Sequence, residues 1–208
     1  MATATTIDSQ LCLLNAQDLA CRRGERLLFQ HLNLSIQAGQ AIWVRGPNGR
    51  GKTSLLRLLA GLSQAAQGRI TTSTRLVYLG HQHALKDDLT ALEALAFLVR
   101  LHDDAADEAS MVQALDRMGI KARRHALVRT LSQGQRRRVA LARLALSPPG
   151  SLWILDEPFD ALDDQGVATL NTLIHDHRQS GGSVILTSHQ AANLPELVDL
   201  HLDAPGKG

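Results

Sequence analysis

Apolar residues along this chain fall into two kinds of stretch. The first is short and unbroken: AIWV at 41–44, LWIL within SLWILDE at 151–157, and VIL within SVILTSH at 183–189. Such compact runs, bounded by polar turns, read as strands buried on both faces, the habit of a parallel sheet. RLVYLG at 75–80 and LVDLHL at 197–202 read as further strands. The second kind repeats at helical spacing. It begins after residue 52 and ends at Gly61, fills 90–120 with Ala, Leu, Asp and Glu, and returns near 165–178.

Residues 11–36 read as short strands around a turn at Arg23, Gly24 and Glu25, SPPG at 147–150 is a breaker, and the tail APGKG is loop. Strands and helices alternate on either side of one all-helical stretch. The expected architecture is therefore α/β: a mostly parallel sheet with an N-terminal antiparallel β subdomain and an inserted helical subdomain. With 208 residues this predicts one domain, its core at about 11–85 and 147–203 and the helical part at about 86–146. The sequence has no internal repeat and no low-complexity tract.

Composition narrows the class but names no ligand. A net charge of +2 and 3% aromatics supply neither a polyanion-binding surface nor stacking platforms for single strands, so no nucleic-acid partner is expected. Cys12 and Cys21 are the two cysteines and form no CxxC, which fits free thiols in a reducing compartment. No apolar run approaches the ~20 residues that span a bilayer, and MATATTIDSQ lacks the basic and apolar parts of a signal peptide. The expectation is a subunit without a membrane span of its own, kept in the cytosol and able to sit on a membrane protein.

Chemistry enters at GPNGRGKTS, 46–54, between the AIWV strand and a helix. The pattern GxxxxGK[ST] in that position is a P-loop. Its glycines, Gly46, Gly49 and Gly51, let the backbone N–H groups of the loop close around phosphate oxygens, with Pro47, Asn48 and Arg50 between them and the helix dipole behind. Lys52 reaches the β and γ phosphates, Thr53 holds Mg²⁺, and Ser54 continues the helix start. Asp156 and Glu157 end the strand LWIL, and two adjacent acids there are expensive to bury without a cation or a water to polarise. Asp156 is the expected second holder of Mg²⁺ and Glu157 the expected general base. Against this stands the plainer reading of a glycine turn and an acidic turn capped by Pro158.

P-loop proteins include GTPases and kinases. The guanine-reading NKxD is missing, and DDQG at 163–166 matches DxxG by letters alone, lying after the acidic strand. A metabolite kinase leaves LSQGQRRR at 131–138 unexplained. Arg136, Arg137 and Arg138 in the first turns of a helix oppose its macrodipole, which suggests an anion nearby.

With these residues the chain resembles the ATP-binding subunits of ABC transporters. The family signature LSGGQ is answered by Leu131, Ser132, Gln133, Gly134 and Gln135, placed before the Asp156 strand as the family has it. The resemblance implies that this helix start contacts the γ-phosphate of ATP held by a second subunit, which supplies the anion; alone, LSQGQ would read as an N-capped surface helix. It further implies that Gln82, in YLGHQ, is the Q-loop glutamine joining Mg²⁺ and water to a transmembrane partner, that Asp163 in ALD belongs to the D-loop at the dimer interface, and that His189 contacts the γ-phosphate. Asp163 as a helix N-cap is the rival. His81 and His83 are read as solvated rather than as ligands. Two positions depart from the family. Arg23 stands near where an aromatic residue stacks on adenine, and its guanidinium plane offers a substitute, while Gln133 replaces the first signature glycine.

What the resemblance implies is an ATPase using ATP and Mg²⁺, a head-to-tail homodimer, and integral-membrane permease subunits beside the Q-loop. GHQ, LTALE, LSQGQRRR and LDEPFDALD are similar to the haem exporter ATPases of bacterial cytochrome c biogenesis. That implies a peripheral place on the cytoplasmic face of the inner membrane, and export of haem or release of its chaperone. The chain has no CxxCH for attached haem. An ABC transporter for another substrate and a soluble ABC-type ATPase acting on ribosomes or DNA are the alternatives, and the tandem units, coiled coils or zinc hooks usual in the soluble kind do not occur.

Overall fold

The computed structural model describes residues 11–82, 84–101, 106–189 and 194–202. Two sheets form. One is antiparallel, in the order β2-β1-β4, from β1 (Cys12–Arg23), β2 (Arg26–Gln37) and β4 (Gln67–Thr72). The other is parallel, in the order β5-β6-β7-β3-β8, from β3 (Ala41–Arg45), β5 (Leu76–Leu79), β6 (Leu152–Leu155), β7 (Ser183–Leu186) and β8 (Leu197–His201). The expected antiparallel and parallel parts are both present. The N-terminal strands are longer than the short ones expected, twelve residues each, because register shifts let them bend without breaking the ladder. The strand β4 was not anticipated; its residues are mostly exposed and polar, as at a sheet edge.

Alternation along the central strands separates two cores. On β6, Leu152 and Ile154 face a core shared with β1, β2 and α1 (Lys52–Leu59), whereas Trp153 and Leu155 face one shared with the helices. Those helices are α2 (Ala91–Leu101), α3 (Glu108–Arg117), α4 (Gln133–Ala142) and α5 (Asp164–Gln179). A strand buried on both faces cannot show period two in polarity, which is why it reads as an unbroken apolar run.

Under α5, His177 stacks on Trp153 with ring centroids 3.7 Å apart, and its Nε2–H donates to Ser151 O at 2.9 Å. The residue ends a helix, where a positive charge gains about 0.3–1 kcal/mol from the dipole. Burial outweighs that gain and pushes the imidazole down to about 4. An unfolded histidine titrates near 6.5, so the folded chain binds fewer protons between those two values and loses stability as pH falls from 6.5 toward 4. Unfolding in urea should therefore show His177→Phe, which keeps the stack, losing about 2 kcal/mol less than the parent between pH 7.5 and pH 5. Equal losses would mean that His177 is not the acid-sensitive group.

Candidate functional site

The P-loop lies between β3 and α1 as the pattern requires. Gly51 caps α1 at φ 95, and a Cβ there would come within 3.1 Å of Leu28, so the tight entry into the helix excludes a side chain twice over. Lys52 Nζ donates to Gly46 O at 2.7 Å and Pro47 O at 3.5 Å, holding the ammonium inside the loop. Above the loop opens a cleft of about 400 Å³ lined by Arg23, Asn48, Gly49, Gly51, Lys52, Thr53, Ser54, Asp156, Glu157 and His189. Gly46, Pro47 and Arg50 lie in the loop without lining that cleft.

A ladder of hydrogen bonds joins the loop to the parallel strands. Thr53 Oγ1 donates to Asp156 Oδ1 at 3.2 Å, and Thr187 Oγ1 donates to the same oxygen at 2.9 Å. Thr187 Oγ1 accepts the N–H of Glu157 at 2.9 Å, and Glu157 Oε2 accepts the N–H of His189 at 2.9 Å. The His189 ring reaches Glu157 Oε1 at 3.5 Å. Asp156 is 3% exposed and Glu157 9%, so both acids sit at the floor of the cleft, and Glu157 adopts the left-handed φ of 49. Thr187 went unnoticed in the sequence because a threonine in TSH looks like the end of a strand; its adjacency to β6 is what gives it two partners.

Gln82 does not line this cleft. With Thr53 and Asp156 it borders a neighbouring hollow of about 500 Å³ that reaches Leu98 of α2 and Arg143 after α4. Thr53, Asp156 and Gln82 thus border one hollow with a hydroxyl, a carboxylate and an amide, oxygen donors of the kind Mg²⁺ takes. Among the described residues no cluster of three His, Cys, Asp or Glu side chains that could hold a metal ion occurs. His81 is exposed, lines the main cleft and approaches Asp160 at 3.5 Å. His83 lies outside the described residues.

The signature residues stand elsewhere. Ser132 and Gln135 form a capping box: the Gln135 N–H donates to Ser132 Oγ at 3.2 Å, and the Ser132 N–H donates to Gln135 Oε1 at 3.0 Å. The N–H groups of Gln133 and Gly134 fall in the first turn, where no intrahelical acceptor exists. A Cβ on Gly134 would lie 2.6 Å from Ala161 O, so the close approach of the ALD turn requires glycine. Ser132, Gly134, Gln135, Arg138 and Asp163 border a separate hollow of about 540 Å³, while Leu131 is buried in the core. No signature residue lines the cleft over its own P-loop.

The three arginines, whose place in the first turns suggested an anion nearby, do not gather at the helix tip. Arg136 turns back to Leu131 O and Arg129 O and pairs with Asp87, Arg137 runs inward, and Arg138 bonds Asp163 and Met118 O. A long flexible stem lets each guanidinium leave the helix start, so the sequence position says little about where its charge ends. Asp163 also accepts the N–H of Gly166 at 2.8 Å and caps α5; these bonds hold its carboxyl below the usual range. Arg26, across the hairpin from Arg23, lines the cleft too and was missed, although a two-residue turn places residues 23 and 26 opposite each other.

Comparison with known proteins fits this arrangement. A family model described as ABC transporter matches residues 29–160. The "Cytochrome c biogenesis ATP-binding export protein CcmA" of Aromatoleum aromaticum is 48% identical over 203 residues, covering 90% of this chain and 95% of that protein. The protein of the same description from Vibrio cholerae is 44% identical over 207 residues, covering 93% and 100%. A bacterial ABC transporter cassette solved as a dimer superposes with a TM-score of 0.77 at 21% identity, covering 91% of this chain and 95% of that one, which establishes the fold.

Proposed function

The chain belongs to the ABC transporter family, and on that premise we propose that it is the ATP-hydrolysing subunit of a haem exporter in c-type cytochrome biogenesis. It binds nucleotide and is an ABC-type ATPase. Relatives described as cytochrome c biogenesis export proteins support the process, and the motif resemblance supports haem as the cargo. The observation carrying the activity is the ladder from Thr53 through Asp156 and Thr187 to Glu157 and His189 above the P-loop. In this reading 1–208 act as one ATP-binding domain, core about 11–85 and 147–203, with the helical part at about 86–146 as its arm.

Phosphates of ATP lie against the loop N–H groups, and Lys52 exchanges the carbonyls of Gly46 and Pro47 for β and γ oxygens. Thr53, Asp156 and Gln82 would hold Mg²⁺, which would neutralise charge on the β and γ phosphates. Glu157 takes a proton from the attacking water as its oxygen bonds the γ-phosphorus and the bond to the ADP oxygen breaks. The His189 N–H fixes the orientation of that carboxylate, and the His189 side chain reaches the γ-phosphate. A second copy of the chain presents Ser132 and Gly134 to the same phosphate, because neither lines its own cleft. ATP closes the dimer only through contacts made better in the closed state, and hydrolysis releases them.

Among the described residues no helix is long and apolar enough to cross a membrane. In the proposed complex, as the family resemblance implies, integral-membrane permease subunits supply the pathway, docking beside the hollow that Gln82 borders, and the chain is peripheral on the cytoplasmic face of the inner membrane. Purification from detergent-solubilised membranes should bring multi-span proteins with it; ribosomes or DNA instead would favour the soluble ATPase.

Arg23 provides the base platform at the rim of the cleft. Stacking on an exposed guanidinium gives Arg23→Ala about a three- to tenfold weaker ATP affinity, read by displacement of a fluorescent nucleotide. GTP should weaken equally, since a stacked plane reads no base edge. Unchanged affinity would take the base away from Arg23.

A further inference from the structure

In the sequence Arg137 counts only as one of three arginines that oppose a helix dipole, yet it is 0% exposed, a state a charged side chain rarely reaches without built partners. It stands on α4, three residues beyond Gly134. Its Nε donates to Pro158 O at 3.1 Å, its Nη2 to Asp156 O at 3.2 Å and to Glu157 O, and its Nη1 to Gly80 O at 3.2 Å. Two segments distant in sequence thus end on one guanidinium. The first is the turn that carries Asp156 and the left-handed Glu157, and the second is the root of the loop that carries Gln82 two residues on.

These acceptors are main-chain carbonyls, so the bonds fix the course of the backbone rather than neutralise a charge. On the β7 side, Thr187 holds the N–H of Glu157, and the turn is pinned between the two. Burial draws the guanidinium down to about 10, against the pull of Asp160, Asp156 and Glu157, and it stays charged at neutral pH. Lysine is a poor substitute, since a compact ammonium lacks the planar fork that reaches two segments together.

We propose that Arg137 is a positioning residue for ATP hydrolysis: from the signature helix it sets the main chain of the Glu157 turn and the root of the Gln82 loop. Through it, the helix whose tip meets the partner's nucleotide also places the proton-accepting carboxylate of its own site. The inference rests on Glu157 being that acceptor.

The test uses the full chain with its membrane subunits, comparing Arg137→Gln and Arg137→Lys with the parent by melting, ATP affinity and turnover. Both variants should fold and bind ATP within about twofold of the parent, while kcat falls about 100-fold for Gln and about tenfold for Lys. Combined with Glu157→Gln, Arg137→Gln should reduce turnover no more than about threefold further, because the carboxylate whose placement accounts for most of its effect is already gone and only the root of the Gln82 loop is left to it. Parental kcat in Arg137→Gln, loss of affinity in step with kcat, additive losses in the double variant, or failure of both variants to fold would each overturn the proposal. Full turnover by Glu157→Gln alone is a separate outcome: it overturns the assignment of Glu157, and the clamp's purpose with it.

Discussion

Glu157→Gln should turn over ATP roughly 10²–10⁴-fold more slowly, the range that a positioned general base contributes, while binding ATP as well as the parent or better. The amide has the size of the carboxylate, and its oxygen can still accept the N–H of His189 that now meets Oε2 at 2.9 Å. What disappears is the ability to take a proton and a negative charge beside the γ-phosphate, so affinity has no reason to fall. With binding intact and hydrolysis blocked, the contacts of Ser132 and Gly134 with the partner's phosphate persist, and the closed dimer accumulates. Sedimentation with the permease subunits present should show the shift with ATP and not with ADP. A variant that stays monomeric when loaded with ATP would remove the link between hydrolysis and opening.

The parts of this site legible in the sequence are those written locally. GPNGRGKT and LWILDE each combine a buried strand with the polar residues that leave its end, and both strand and exit fit within a dozen letters. The unbroken apolar runs told a parallel sheet from a half-exposed one for the same local reason. Residues whose meaning depends on which strands become neighbours stayed silent. Thr187 bonds the Glu157 turn because β7 lies beside β6, and Arg137 does so because its guanidinium reaches from α4 to both that turn and Gly80. The edge strand β4 escaped because six mostly exposed residues need no apolar rhythm. Asp163 could be read two ways, and it does cap α5 while bordering the signature hollow.

Equimolar mixing of Lys52→Ala and Ser132→Asp chains should restore turnover that neither has alone. Lys52→Ala leaves a cleft without its phosphate cation. Ser132→Asp is chosen to spare the fold: aspartate is as good an N-cap as serine, and an acid in that position favours the macrodipole of α4. Its carboxylate nevertheless points where the partner's γ-phosphate must come, and repels it. In a mixed dimer, the Lys52→Ala cleft faces the Ser132→Asp signature, and that site is lost twice. The other site pairs an intact Lys52 with an intact Ser132. Half of randomly assorted dimers are mixed and each has one working site of two, so turnover should return to about a quarter of the parental value. If each signature served its own P-loop, every chain in the mixture would carry one lesion in its only site. Turnover would then stay at the background, a result that the separation of the signature hollow from the cleft argues against.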